Sequence, residues 1–156
     1  MIIRALTIQD SEEVLSLIHN TLININSKDY DQKEIQRLCK IHNQTWLLQE
    51  MKHVHFYIAL LDSKIVGIIG INKINPLQAK LQTFFVAYDH QKQGIATNLL
   101  NHLIHDEYYQ TSNELVLSAS ISAYSYYLKQ GFITTSNLNE FGLYEMKKII
   151  MEESIC

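Results

Sequence analysis

Between Gln91 and Thr97 the chain reads Gln-Lys-Gln-Gly-Ile-Ala-Thr, with one glycine and no acidic side chain. An apolar run, Phe84-Phe85-Val86-Ala87, precedes it, and Ile95, Leu99 and Leu103 follow at helical spacing. This reads as a strand, a tight glycine turn and the exposed first turn of a helix. Such a helix start leaves its first N–H groups without intrahelical partners and carries partial positive charge, so it attracts anions, phosphates above all. Gly94 has no Cβ to hold an anion away from the backbone. A second chemical cluster is Ala123-Tyr124-Ser125-Tyr126-Tyr127, running to Gly131-Phe132. A phenol of pKa about 10 stays protonated at neutral pH and can donate its proton. Successive helical side chains point about 100° apart, so the three tyrosines cannot all face one group. The histidines suggest metal chemistry at two places, His53 with His55 on a strand and His102 with His105 on a helix. Neither pair has a third ligand clustered with it, so they read as solvated side chains and no metal is expected.

The elements that must position these groups follow from the hydrophobic pattern. Ile2 to Ala5 is a short strand. Thr7 and Asp10 are candidate caps of a helix from about Ile8 to Ile23, with Val14, Leu17, Ile18 and Leu22 on one face. A second helix carries Ile35, Leu38 and Cys39, and a short third one Trp46, Leu47 and Met51. His53 to Leu60 and Ile65 to Ile71 form a hairpin around Asp62-Ser63-Lys64. Leu81 to Ala87 leads into the glycine turn, and the following helix is expected from Gly94 to about Tyr109, with Asp106-Glu107 as a polar helix end. Leu115 to Ala119 is a strand, Ser122 to Gln130 a helix ended by Gly131, and Phe132–Thr134 with Leu143–Ile150 a last hairpin. Strands and helices do not alternate regularly, which disfavours a doubly wound sheet. A mixed, mainly antiparallel sheet with helices on both faces is expected instead.

At 156 residues, 47% hydrophobic and 19% charged, the chain is ordinary globular material for one domain over residues 1–150, with a short tail at 151–156. A formal charge of −3 speaks against a general nucleic-acid binder. No apolar run approaches the ~18 residues of a membrane span, and Met1-Ile2-Ile3-Arg4 lacks a signal-peptide layout. Two cysteines, Cys39 and Cys156, are too few for a disulfide framework. A cytoplasmic protein is expected, with no nucleic-acid or membrane partner, as a monomer or homodimer.

The Rossmann and P-loop glycine spacings are absent. What stands here, Gln91-x-x-Gly94-x-Ala96 after a strand, resembles the Q/R-x-x-G-x-G/A motif of the GCN5-related N-acetyltransferase (GNAT) superfamily. Ala123-x-x-Tyr126-Tyr127-x-x-x-Gly131-Phe132 resembles that family's A-x-x-F-Y-x-x-x-G-F, with Tyr126 for phenylalanine. The order of elements is similar over nearly the whole chain. The resemblance implies an α+β GNAT fold of six to seven strands, with a V-shaped split between the fourth and fifth. It implies acetyl-coenzyme A as co-substrate, its pyrophosphate on Gln91, Lys92, Gln93, Gly94, Ile95, Ala96 and Thr97. The pantetheine arm would lie between Phe85-Val86 and Ser118-Ala119-Ser120, with Ala123 and Tyr127 also toward the cofactor. It further implies that the Val86 N–H stabilises the oxyanion and that Tyr127 protonates the departing thiolate. Tyr30 and Trp46, in the segment that covers the acceptor side in the family, are candidate substrate contacts, with aromatic packing as the alternative.

One position departs from the pattern. Some relatives carry a glutamate, the amine's base, where this chain has Lys80; Glu140, His55 and Glu50 remain as unranked candidates. The expected function is acetyl transfer from acetyl-CoA to a primary amine of a small molecule or peptide, through a tetrahedral intermediate. The alternative is a non-catalytic acyl-CoA-binding regulatory or sensor module. A nucleotide-binding role for the glycine turn is disfavoured by the missing fingerprints. The acceptor has no motif of its own.

Overall fold

The structure is a computed structural model, and it describes residues 1–150. The tail assigned to 151–156, including Cys156, lies outside the described residues. Among the described residues seven strands follow the sheet order β1-β2-β3-β4-β5-β7-β6. They are β1 (Ile2–Ala5), β2 (Val54–Leu61), β3 (Lys64–Asn75), β4 (Gln78–Val86), β5 (Glu114–Ala119), β6 (Ile133–Thr134) and β7 (Tyr144–Ile149). The helices are α1 (Ser11–Asn24), α2 (Gln32–Ile41), α3 (Gln44–Glu50), α4 (Ile95–His102), α5 (Glu107–Gln110) and α6 (Tyr124–Lys129). The chain divides into two compact units, the first formed by Met1–Gly70 with Thr83–Ile104, the second by Ile71–Gln82 with the chain from His105 onward.

In the first unit β1 runs antiparallel to β2, from Ile2 opposite Leu60 to Ala5 opposite Tyr57. The β2–β3 turn places both Asp62 and Ser63 at positive φ (50° and 64°), the twist that a two-residue hairpin requires. Val14, Leu17, Ile18 and Leu22 form the buried stripe of α1 as the 3.6-residue period demands. The helix expected from Ile8 begins instead with a 3-10 turn at Ile8–Asp10, and α1 proper starts at Ser11. Asp10 accounts for that start. Its carboxylate accepts from the Thr7 N–H (2.8 Å) and hydroxyl (2.9 Å) and receives both guanidinium nitrogens of Arg4 (2.8 and 2.9 Å). These bonds hold the Asp10 carboxyl well below the usual carboxylate range, the Arg4 bond foremost.

β3 sets the seat of α4. A Cβ on Gly67 would stand 2.8 Å from Leu99 Cδ1 and 3.1 Å from Ile95 Cγ2, so only glycine lets the helix approach the strand this closely. β4 carries one more local feature, Thr83 at φ 52°. For a β-branched residue this is a rare backbone conformation.

In the second unit β4 and β5 are paired in parallel over Gln78–Lys80 and Glu114–Val116. This is the parallel pair at the V-shaped split expected between the fourth and fifth strands. β5 then pairs antiparallel with β7 along its whole length, and β6 with β7. Leu115, Leu117, Ala119, Tyr127, Phe132 and Met146 make this unit's core. Gly131 takes φ 92° after α6, the C′ role read from the sequence.

The long helix expected to run to about Tyr109 is interrupted. α4 ends at His102, a 3-10 turn covers Leu103–His105, and α5 begins at Glu107. The cause is Asp106, which is extended (φ −75°, ψ 143°), 4% exposed, and accepts the Tyr108 N–H at 2.7 Å. Its short carboxylate competes with the helix for backbone donors and starts a new helix rather than ending the old one.

Candidate active site

The end of β4 is tied down on two sides. The Ala87 N–H donates to the Val66 carbonyl (2.8 Å). The Gln91 side-chain amide donates to the carbonyls of Val86 (2.7 Å) and Ala87 (3.2 Å). The glutamine of the motif therefore shapes the turn by satisfying strand-end carbonyls, while its backbone runs extended (φ −67°, ψ 154°) into it. Lys92 (φ 60°) and Gly94 (φ 78°) both sit in the left-handed region on either side of Gln93. Such alternation turns successive N–H groups inward and makes an anion-binding concavity.

Gly94 is the N-cap of α4, and no side chain caps that helix. A Cβ at Gly94 would meet nothing within 4 Å. Glycine is needed there for its φ, and the space beside it is open. Gln91, Lys92, Gln93 and Gly94 are exposed. Ile95 is 3% exposed and packs toward Gly67, so its side chain anchors the helix whose first turn Ala96 and Thr97 continue.

A group that sequence reasoning missed stands at the junction of α2 and α3. His42 is the C-cap of α2. Its Nδ1 lies 2.6 Å from the Leu38 carbonyl oxygen, which can only accept, so Nδ1 carries the proton. In the neutral ring Nε2 is then the lone-pair nitrogen. His19 Nε2 donates to the His42 carbonyl (2.7 Å), fixing the backbone beneath the ring. The His42 ring meets Trp46 edge-on (centroids 4.5 Å) and stands edge-on to Phe85 (6.4 Å), while Trp46 also approaches Phe56 (6.5 Å). Burial pushes the His42 pKa down, His19 and Arg37 act in the same direction, and the Leu38 bond and Glu50 oppose them. The local sequence Ile41-His42-Asn43 signals only a helix end. Its meeting with Phe85 is a long-range contact that no spacing rule reveals.

Trp46 is thus packed in an aromatic group that includes Phe85. Tyr30 lies half-buried just before α2, its pKa raised by burial and by Asp29 and Glu34. Of the base candidates in this unit, Glu50 is within 3.5 Å of His53 Nε2. His102 is half-buried and meets the Tyr57 ring edge-on (centroids 4.9 Å). Among the described residues no three His, Cys, Asp or Glu side chains come together in a way that could hold a metal ion.

In the second unit Tyr127 is 8% exposed, edge-on to Phe132 (5.6 Å) and Tyr126 (5.5 Å). Burial, with a smaller contribution from Tyr126, pushes its phenol above the ordinary tyrosine value and keeps it protonated. Tyr126 is half-buried, and Tyr124 instead stacks on Tyr144 (4.3 Å) and hydrogen-bonds the Thr134 hydroxyl. The Ser120 carbonyl accepts the Ala123 N–H and leads the chain from β5 into α6. Lys80 pairs across the ladder with Val116. Glu140 is exposed in the β6–β7 loop.

A family model described as "Acetyltransferase (GNAT) domain" matches residues 26–149. No curated protein matches the chain. Solved structures do. A PaiA N-acetyltransferase from Thermoplasma acidophilum, in complex with coenzyme A, is similar with a TM-score of 0.84 and 20% identity, covering 95% of this chain and 98% of its own. A ribosomal-protein-alanine N-acetyltransferase from Brucella melitensis follows at 0.70 and 19%, covering 96% and 99%. An aminoglycoside 6'-N-acetyltransferase complexed with coenzyme A stands at 0.70 and 15%, covering 99% of both.

Proposed function

The chain belongs to the GNAT acetyltransferase family, and from that premise we propose that it moves an acetyl group from acetyl-CoA to a primary amine of a small molecule or peptide. The observation that carries this reading is the turn from Gln91 to Thr97. It combines two left-handed residues, an uncapped helix start, open space at Gly94 and no acidic side chain. That combination suits a diphosphate. The backbone N–H groups of this turn hold the pyrophosphate, with Lys92 adding positive charge. In the first unit Phe85 and Val86, and in the second Ser120, Ala123 and Tyr127, are the residues we assign to the pantetheine and thioester end.

The chemistry requires a polarised carbonyl, a neutral amine and a protonated leaving group. The Val86 N–H, at the end of a strand locked by Ala87 and Gln91, is the oxyanion donor. A fixed backbone donor costs no reorganisation as charge develops. Tyr127 donates to the thiolate; a raised pKa makes it a reliable donor and a weak acid at once, so its contribution is at the low end for general acids. Trp46 and Tyr30 contribute to the acceptor side. Two of the relatives named above carry an acceptor in their names, a ribosomal-protein alanine and an aminoglycoside, and these differ widely, so the acceptor's class rests on the amine chemistry alone.

The test is incubation of the protein with acetyl-CoA and a panel of polyamines, aminoglycosides and peptide amines, measuring free thiol and acetylated product. Product with any amine supports the reading. Tight acetyl-CoA binding by calorimetry, with no product from any of them, favours a binding module, for which the lysine at position 80 is the present argument.

A further inference from the structure

We propose that His42 is the general base of this reaction, taking a proton from the acceptor ammonium at Nε2. The inference rests on the amine-acetylation reading and names a residue for its missing step. Three observations of the first unit carry it. The ring is held by a proton donated from Nδ1 to the Leu38 carbonyl (2.6 Å), which leaves Nε2 as the accepting nitrogen. Its backbone is held by His19, so the ring is fixed at both ends. Its ring stands roughly perpendicular to Phe85, the residue next to Val86 (centroids 6.4 Å), and its other ring neighbour is Trp46. A base oriented by a third group, beside the strand end assigned to the oxyanion, is the arrangement nucleophile activation needs.

The proton balance is complete. The ammonium gives one proton to His42 Nε2, and the free nitrogen lone pair forms the C–N bond at the thioester carbonyl. Collapse of the tetrahedral species breaks the C–S bond, whose electron pair leaves on sulfur. The nitrogen loses a second proton as the amide forms. Of the two protons lost by nitrogen, one is matched by the proton that sulfur gains, and the other is released to solvent from the imidazolium. No oxidant or metal is required.

The groups facing His42 are His19 from α1, Arg37 and the Leu38 carbonyl from α2, Glu50 and Trp46 from α3, and Phe85 from β4. Burial, His19 and Arg37 together favour the neutral ring, so the base form extends below the ordinary histidine range of about 6.5. The acid limb of kcat/KM in the wild-type protein is therefore expected below that value.

His42→Asn keeps a donor where Nδ1 stands and deletes Nε2. It should lower kcat/KM for the amine by about 10²-fold, remove the acid limb, and leave the acetyl-CoA affinity measured by calorimetry unchanged. If it does not fold, His42→Phe, which keeps the ring contacts, takes its place with the same expectation. Nitrogen NMR of the wild-type protein should report the Nδ1–H tautomer for His42. Either kcat/KM within about threefold of wild type or an Nε2–H tautomer overturns the assignment while leaving acetyl transfer intact. A wild-type protein that binds acetyl-CoA and acetylates no amine overturns the proposed function and this base with it.

Discussion

Gly94→Asp is the most direct perturbation of the proposed pyrophosphate site. Two effects are separable in the structure. Position 94 has φ 78°, so any L side chain there is strained by about 1–2 kcal/mol. A Cβ meets nothing within 4 Å, so no steric term adds to that in the free protein. Aspartate is a good N-cap residue elsewhere, but caps work from extended backbone, so little of that strain is recovered here. The fold should survive with about 1–2 kcal/mol less stability. Binding is affected differently. A carboxylate held roughly 5 Å from a phosphate charge costs about 1–3 kcal/mol at effective dielectrics of about 20–80. That is roughly 5- to 150-fold in Kd. Gly94→Ala carries the strain and the Cβ without the charge and should weaken binding less. Titration calorimetry of acetyl-CoA against both variants at low and high salt is the assay. The difference between them should shrink as salt rises, because the added term is electrostatic. Equal affinities for wild type and Gly94→Asp would refute the placement of the pyrophosphate on this turn.

Three further outcomes are expected. Tyr127→Phe keeps the ring against Phe132 and should lower kcat by about tenfold with KM for acetyl-CoA little changed, while Tyr126→Phe stays near wild type; full kcat in Tyr127→Phe would mean that the thiolate leaves without this donor. Trp46→Ala removes the ring between His42 and Phe56 and should raise KM for the acceptor more than for acetyl-CoA, with a lowered Tm; a fall in Tm alone would make it a packing residue only. Asp10→Asn should lower Tm at neutral pH. Its folded pKa is depressed, so its stabilisation is complete above the unfolded carboxylate value of about 4 and fades as pH falls through the folded one. The two Tm curves should accordingly converge below about pH 4, and a constant gap between them would disprove the linkage.

Much of the frame could be read from local rules because its causes are local. β1 spans Ile2–Ala5 as expected, the hairpin turns at Asp62-Ser63, and Gly131 stops α6. Each follows from side-chain period or from the φ a residue tolerates, and both are properties of a few consecutive residues. The two motifs around Gly94 and Tyr127 were visible for the same reason, since each lies within one turn or one short helix. The break before α5 was not visible, because Asp106 competes with a continuing helix and burial decides the competition. That the side-chain amide of Gln91 reaches the strand-end carbonyls of Val86 and Ala87 has no signal in the sequence either. The positive φ of Thr83 has no signal in a β-branched residue. His42 is the clearest case. Its proton is set by Leu38 four residues back, but its position against Phe85 requires α2, α3 and β4 to be packed together first. Types and spacings determined what groups the chain has and which turn presents its backbone N–H groups. Only the tertiary packing decided which histidine stands beside Phe85, because contacts between distant segments depend on the packing of every element between them.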